Sequence, residues 1–278
     1  MASRTDIAAR APNRPGSVDY NGVSGNGVID GLELELAVKV QQLLLPKSSP
    51  ACNWCCIGIK NRMAEGLGGD YFDFIAMPDG CQSLFIGDVT GHGLHASVVM
   101  SLIYGFIHRS AMGGCATLEV VQQVNRFLID FSRRSQTIDQ YFSSTLFYGI
   151  IDPLTFTMQY VNAGHVPAFV LRSGVIEDLS STGPPVGFFE RPEMHLQSYR
   201  FEKGDRLLLY TDGIPETTNA GNELFGLERL KELLRSNADT DYQEFLEVIF
   251  TTLEEFDPAD RPADDCSAIV IDFHGFGR

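Results

Sequence analysis

The segment GGDYFDFIAMPDGCQSLFIGDVTGHG, running from Gly68 to Gly93, contains two apolar strands joined by a Pro78-Asp79-Gly80 turn. Asp70 and Asp73 begin the first strand, and Asp88 ends the second directly after Leu84, Phe85 and Ile86. A hairpin folds these ends together, which places Asp70 near Asp88. Two carboxylates that close repel and raise each other's pKa unless a cation neutralises them. Oxygen-only donors suit a hard divalent ion, Mg²⁺ or Mn²⁺. Gly68, Gly69, Gly87, Gly91 and Gly93 let backbone approach a ligand closely. The segment therefore predicts a metal site built on strand ends.

The whole chain is acidic. Its 278 residues carry a formal charge of −15, which disfavours nucleic acid and anionic membrane as partners, because both are bound by basic surface. A hydrophobic content of 44% supplies a sizeable core. No apolar run reaches the roughly 20 residues of a membrane span, and the N-terminus lacks an apolar signal core, so a cytoplasmic protein is expected. The six cysteines are too scattered for a disulfide scaffold. Cys52-x-x-Cys55-Cys56 has the start of a zinc motif, but no second pair follows, and reduced, buried thiols are expected instead.

Residues 1–30 lack apolar periodicity and are expected to be a disordered leader or linker. A lead-in helix is expected within 31–48, with Leu32, Leu36, Val40 and Leu43 on one face. Asp30 with Glu33 makes a capping-box-like start and Pro46 a stop. The apolar stripe is expected to pack on the domain rather than on a partner. Strands follow at 54–60, 70–77 and 82–89, then helices at 94–112 and 117–133. Beyond Tyr141 a meander covers 142–151, 156–162 and 167–171, with further strands near 195–201 and at 206–210. Helices at 227–235 and 242–256 precede a last strand at 267–273. Grouped strands and helices, rather than alternating βαβ units, indicate one layered α+β domain across residues 49–275.

Asp88, Asp212 and the Asp264-Asp265 pair each lie at the end of a strongly apolar strand, and Asp70 begins one. A single aspartate in such a place is ordinarily a turn former. Recurrence at four places, several beside glycine, supplies the oxygen donors of a binuclear site that clamps a phosphoryl group.

In this order, GGDYFDF, GDVTGHG, NAGHVP, YTDGIPET followed by FGLERL, and DDCSAIVI resemble the motifs of the metal-dependent protein phosphatases. They look most like the bacterial SpoIIE/RsbU-like branch, related to the type 2C serine/threonine phosphatases. Gln41-Gln42-Leu43-Leu44-Leu45-Pro46 resembles the helical lead-in of that branch. The resemblance covers about residues 35–273 and implies a four-layer αββα sandwich, two stacked, mostly antiparallel sheets flanked by helices.

It also implies two Mn²⁺ or Mg²⁺ ions, with Asp88 bridging them and the Val89 carbonyl as a further ligand. Asp70 would hold the first metal, and Asp212 and Asp264 the second; Asp265 sits where the family varies between aspartate and asparagine. The implied reaction is hydrolysis of phosphoserine or phosphothreonine by hydroxide formed between the metals, without a protein nucleophile. The implied partner is a phosphorylated regulatory protein of the anti-sigma factor antagonist type, acting in partner switching. A homodimer through the lead-in helix belongs to the same picture. Thr90 stands where type 2C enzymes commonly carry histidine, which leaves His92 unassigned, and Arg62 is the candidate phosphate-binding arginine.

Other chemistries are weaker. Cys56-x5-Arg62 matches a cysteine-phosphatase signature only formally, because the glycine spacing is missing and Met63 follows the arginine; Cys56 reads as a strand residue. His92 and His95, spaced i,i+3, have the spacing of metal ligands, although a histidine at a helix start in a glycine turn is more often structural; His165 of the NAGH turn reads as shaping the cleft rather than as catalytic. A non-catalytic phosphoprotein-binding module and a small-molecule phosphomonoesterase are the rival functions; the full aspartate set favours an enzyme.

Overall fold

The computed structural model describes residues 31–48, 50, 52–64, 66–114, 116–134, 142–259 and 262–276. The expected leader and the Asp30 cap lie outside them. Among the described residues, ten strands form two five-stranded antiparallel sheets. One sheet contains β1 (Cys55–Arg62), β6 (Ala168–Arg172), β7 (Val175–Leu179), β9 (Arg206–Tyr210) and β10 (Cys266–Phe273), in the order β1-β10-β9-β6-β7. The other contains β2 (Tyr71–Ala76), β3 (Gln82–Val89), β4 (Ser144–Asp152), β5 (Thr157–Ala163) and β8 (Gln197–Arg200), in the order β2-β3-β4-β5-β8. The helices are α1 (Gly31–Leu44), α2 (Gly93–Met112), α3 (Thr117–Arg134), α4 (Gly213–Glu216), α5 (Gly226–Ser236) and α6 (Tyr242–Phe256).

The alternation of side chains along the strands builds the layers. In β10, Ile269, Ile271 and Phe273 join the core shared by both sheets, while Ala268 and Val270 join Leu230, Phe245 and Ile249 of the helix layer. In β9, Leu207 and Leu209 face the shared core, and Leu208 and Tyr210 face the helices. A strand buried on both faces has no polar side to show, so its sequence is an unbroken apolar run. α5 and α6 cover this sheet. On the second sheet, α2 buries Ala96, Val99, Met100, Ile103 and Ile107, and α3 buries Val120, Val121, Val124 and Leu128. These spacings place one apolar face of each helix on the sheet. The result is the expected four-layer αββα sandwich.

Two elements escaped the sequence pattern. β7 is an edge strand with the sequence VIEDL, and only its last residue is buried; a half-solvated edge carries little apolar signal. α4 is a single turn.

The expectation for α1 is corrected. Its apolar stripe faces outward, with Leu36 63%, Val40 55% and Leu43 73% exposed. The helix instead turns Gln41 inward, at 3% exposure. The Gln41 amide Nε2 donates to the Gly68 carbonyl at 2.7 Å, and the Gly68 N–H donates to Gln41 Oε1 at 3.2 Å. A buried backbone N–H and C=O both need partners, and one glutamine amide satisfies them together. Gln41 shares this inward face with half-buried Val38 and Leu44, and Leu44 packs on the core, so a different face from the Leu36-Val40-Leu43 stripe meets the domain.

Candidate metal centre

The register of β2 and β3 places Tyr71 opposite Gly87, so Asp70, one residue before β2, meets Asp88 near the end of β3. Asp212 follows β9 and occupies the N-cap of α4. Asp264 lies two residues before β10, which pairs with β9. Each sheet thus contributes two aspartates.

Asp70 is bolted across the two sheets. Its Oδ2 accepts from the Thr211 hydroxyl at 2.8 Å and from the Ser267 hydroxyl at 2.6 Å. Thr211 follows β9 and Ser267 lies in β10, whereas Asp70 leads into β2, so one buried carboxylate fixes the distance between the sheets at this edge. These hydroxyls lower the pKa of Asp70, but burial first, and the charge of Asp88 second, outweigh them and hold it well above the usual carboxylate range. Burial also pushes Asp88 up to about 8, aided by the charges of Asp212, Asp264 and Asp265. Asp212 is raised by burial, then by Glu216 and Asp264. The ion pairs of Lys60, His108, Arg133, Arg172, His195, Arg206, Arg229, Lys231 and Arg235 are made with other carboxylates.

Asp265 has a different task. It is 5% exposed, and its Oδ1 accepts the Ala64 N–H at 2.9 Å. Burial raises its pKa, while the N–H groups of Ala64, Asp70 and Gly69 oppose the rise. A Cβ on Gly68 would lie 1.6 Å from Asp265 Oδ2, so this carboxylate grips the backbone of the loop that carries Asp70, and only glycine fits there. Gly69 serves in a similar way: the point where its Cβ would stand is 2.6 Å from Asp88 Oδ1 and 2.8 Å from the Val89 carbonyl oxygen. Asp88 and the Val89 carbonyl therefore present oxygens to one small space that a side chain at 69 would fill.

His165 supports Asp88 from behind. It is buried, and burial lowers its pKa to about 4, so the ring is neutral. Nε2 lies 3.0 Å from the Tyr210 carbonyl, which only accepts, so Nε2 carries the proton. Nδ1 then accepts from the Thr145 hydroxyl at 2.9 Å, and Thr145 Oγ1 accepts the Asp88 N–H at 3.2 Å. The NAGH histidine is a structural relay between β9, β4 and β3, as its turn context suggested. Thr145 gave no signal in the sequence.

Other candidates have partners of their own. Asp73 accepts from Tyr104 and, at 2.7 Å, is partnered by His108, both on α2, so it ties β2 to that helix. His95 stacks on Phe142 with ring centroids 5.2 Å apart. Arg62 lies within reach of Glu254 at 3.4 Å. Cys56 and Arg62 are six residues apart on the same extended strand, roughly 20 Å at 3.3 Å per residue, which removes the cysteine-phosphatase geometry.

Among the described residues, no three His, Cys, Asp or Glu side chains already close into a metal cage. The donors nevertheless fit a divalent cation. They are hard carboxylate and carbonyl oxygens, burial and one another's charge raise Asp70, Asp88 and Asp212 above the usual carboxylate range, and Gly69 leaves open the space that Asp88 Oδ1 and the Val89 oxygen share.

Two antiparallel sheets between helix layers give this chain the fold of type 2C-like phosphatase domains. The chain belongs to the SpoIIE family: the family described as "Stage II sporulation protein E (SpoIIE)" matches residues 78–274. It is similar to phosphoserine phosphatase RsbP of Bacillus subtilis (strain 168), 30% identical over 242 residues that cover 86% of this chain and 57% of RsbP. It is also similar to phosphoserine phosphatase RsbU of the same organism, 28% identical over 225 residues, covering 80% of this chain and 64% of RsbU. The chain thus spans less than two thirds of either relative. The SiaA-PP2C domain of Pseudomonas aeruginosa has the same fold, with a TM-score of 0.74 at 18% identity over 87% of this chain and 96% of that domain.

Proposed function

We propose that this chain is a metal-dependent phosphatase acting on phosphoserine or phosphothreonine in a regulatory protein. The observation that carries the proposal is the edge where Asp70, Asp88, Asp212 and Asp264 from both sheets feel one another's charge. Two Mn²⁺ or Mg²⁺ ions would be held by Asp70, Asp88, Asp212, Asp264 and the Val89 carbonyl, with Asp88 shared between them. Such ions supply a nucleophile at neutral pH and neutralise charge on phosphoryl oxygens.

The chain's own residues do the positioning. Thr211 and Ser267 orient Asp70, Asp265 fixes the loop before it, and neutral His165 holds Thr145 against the Asp88 backbone. Membership of the SpoIIE family, together with the likeness to RsbP and RsbU, supports a phosphoserine protein as substrate. The proposed partner is a phosphorylated protein of the anti-sigma factor antagonist type in a cytoplasmic partner-switching pathway. The outward stripe of α1 supports a homodimer through that helix. Among the described residues, no helix is long and apolar enough to cross a membrane.

Asp88→Asn and Asp212→Asn each test the site. Hydrolysis of a phosphoserine peptide is expected to disappear while far-UV circular dichroism stays native. Wild-type rates in both variants would contradict the proposal.

A further inference from the structure

The sandwich carries a second chemically distinctive cluster. Where the connector from α1 enters β1, Cys52 and Cys55 sit with their sulfurs 2.6 Å apart. Both are free thiols, and a disulfide bond is about 2.05 Å long, so the pair is already almost in bonding position. We propose that Cys52 and Cys55 form a redox-active dithiol that a peroxide oxidises to a disulfide and a thiol reductant restores.

The two sulfurs have unequal surroundings, which assigns their roles. Cys52 is half-buried and lines an open groove of about 1210 Å³ between the end of α1, β1 and the start of α6. Its sulfur accepts the Cys55 N–H at 3.2 Å. Hydrogen bonding from the Cys55 thiol, above all, lowers the Cys52 pKa to about 6, with the backbone N–H groups of Trp54 and Cys55 and the nearby His274 adding to it. A thiolate that a groove reaches and hydrogen bonds stabilise is the reactive form. Cys55 is 1% exposed and its pKa is pushed far up, first by its bond to Cys52 and then by burial. It is the resolving partner rather than the first to react.

The turn is held rigidly. The Trp54 carbonyl accepts N–H groups from both His274 and Gly275, just after β10, and the Trp54 ring lies 5.9 Å from Phe273. Cys56, next in sequence, lies opposite Asp272 in the β1–β10 ladder. Successive residues of a strand point to opposite faces, so Cys56 turns away from the side that Cys55 occupies and does not compete for Cys52.

The steps balance. The Cys52 thiolate attacks one peroxide oxygen; an S–O bond forms, the O–O bond breaks, and the departing hydroxide takes a proton to leave as water. The Cys55 sulfur then attacks the Cys52 sulfenic sulfur; an S–S bond forms, the S–O bond breaks, and a second water leaves with the Cys55 proton. Two thiols lose two hydrogens and the peroxide is reduced to two waters. The ring closed by Cys52 and Cys55 is short, so it restrains little chain entropy; the pair suits reversible chemistry better than stabilisation.

The test uses the full chain, hydrogen peroxide and tryptic mass spectrometry after blocking free thiols. All three cysteines of the cluster fall in one tryptic fragment, residues 48–60. Peroxide is expected to remove two alkylated positions from that fragment, Cys52 and Cys55, and dithiothreitol to return them. Cys56→Ser is expected to behave as wild type, and Cys55→Ser to stop at a Cys52 sulfenic acid captured by dimedone. A bond that includes Cys56, or a fragment that keeps all three alkylated cysteines at peroxide levels that oxidise Cys81, would overturn the proposal. Because the first measurement needs no variant, a misfolded Cys55→Ser protein leaves it decisive.

Discussion

Asp88→Asn is expected to make the metal-free protein more stable while removing its activity. Burial and three neighbouring carboxylates lift Asp88 to about 8, about four units above an unfolded aspartate. An acid whose folded pKa is raised favours folding while protonated. Its contribution is complete below about pH 4 and is lost as the pH rises through about 8. At pH 8.5 the ionised carboxylate therefore costs on the order of 5 kcal/mol as a ceiling. An asparagine keeps the shape without the charge, but its amide also needs partners, so a net gain of about 2–3 kcal/mol is expected. For a domain of this size that is about 5–10 °C in Tm. Thermal unfolding of wild type and variant in excess chelator, at pH 8.5 and pH 5, reads the effect. The gain should shrink at pH 5, where most wild-type Asp88 is protonated. A variant no more stable than wild type at pH 8.5, or a gain of equal size at both pH values, would refute the electrostatic reasoning.

Three further outcomes are expected. Gly68→Ala drives a methyl group into Asp265 Oδ2 and should cost about 2 kcal/mol or more with loss of activity, read by urea unfolding and phosphopeptide hydrolysis; a neutral result would mean the loop adjusts freely. His165 is depressed to about 4, so its contribution is full above about 6.5 and lost as the pH falls through about 4; His165→Phe should flatten that acid limb and cost about 1–3 kcal/mol through the unpaired Thr145 and Tyr210 groups, both seen in unfolding curves across pH. Replacing Leu36 and Val40 together by glutamate should convert the proposed dimer to monomer in analytical ultracentrifugation, with circular dichroism unchanged.

Much of the sandwich could be read from the chain because its strands are buried on both faces. Leu207-Leu208-Leu209-Tyr210 and Ala268-Ile269-Val270-Ile271 have no other stable place than between layers. The hairpin at Gly68–Gly93 was legible for a local reason, since a turn and two apolar runs fix its register. The partners that hold Asp70 were not, because Thr211 and Ser267 come 141 and 197 residues later and a hydroxyl carries no periodic signal. Asp265 stands where the resembled family varies between aspartate and asparagine, which marks it as the less expected ligand; only the fold reveals that it accepts the Ala64 N–H. For the α1 stripe, periodicity finds an apolar face but cannot say what covers it. The face that meets the domain carries Gln41, paired with Gly68, together with Val38 and Leu44.

In the proposed function, the four aspartates make a metal-dependent phosphatase. Hydrolysis of a phosphoserine peptide by the purified chain, measured with Mn²⁺, with Mg²⁺ and with excess chelator, tests it most directly. Turnover with either ion, lost on chelation and restored by adding the ion back, is the expected result. Hydrolysis that persists undiminished in chelator, or none with either ion, would contradict it.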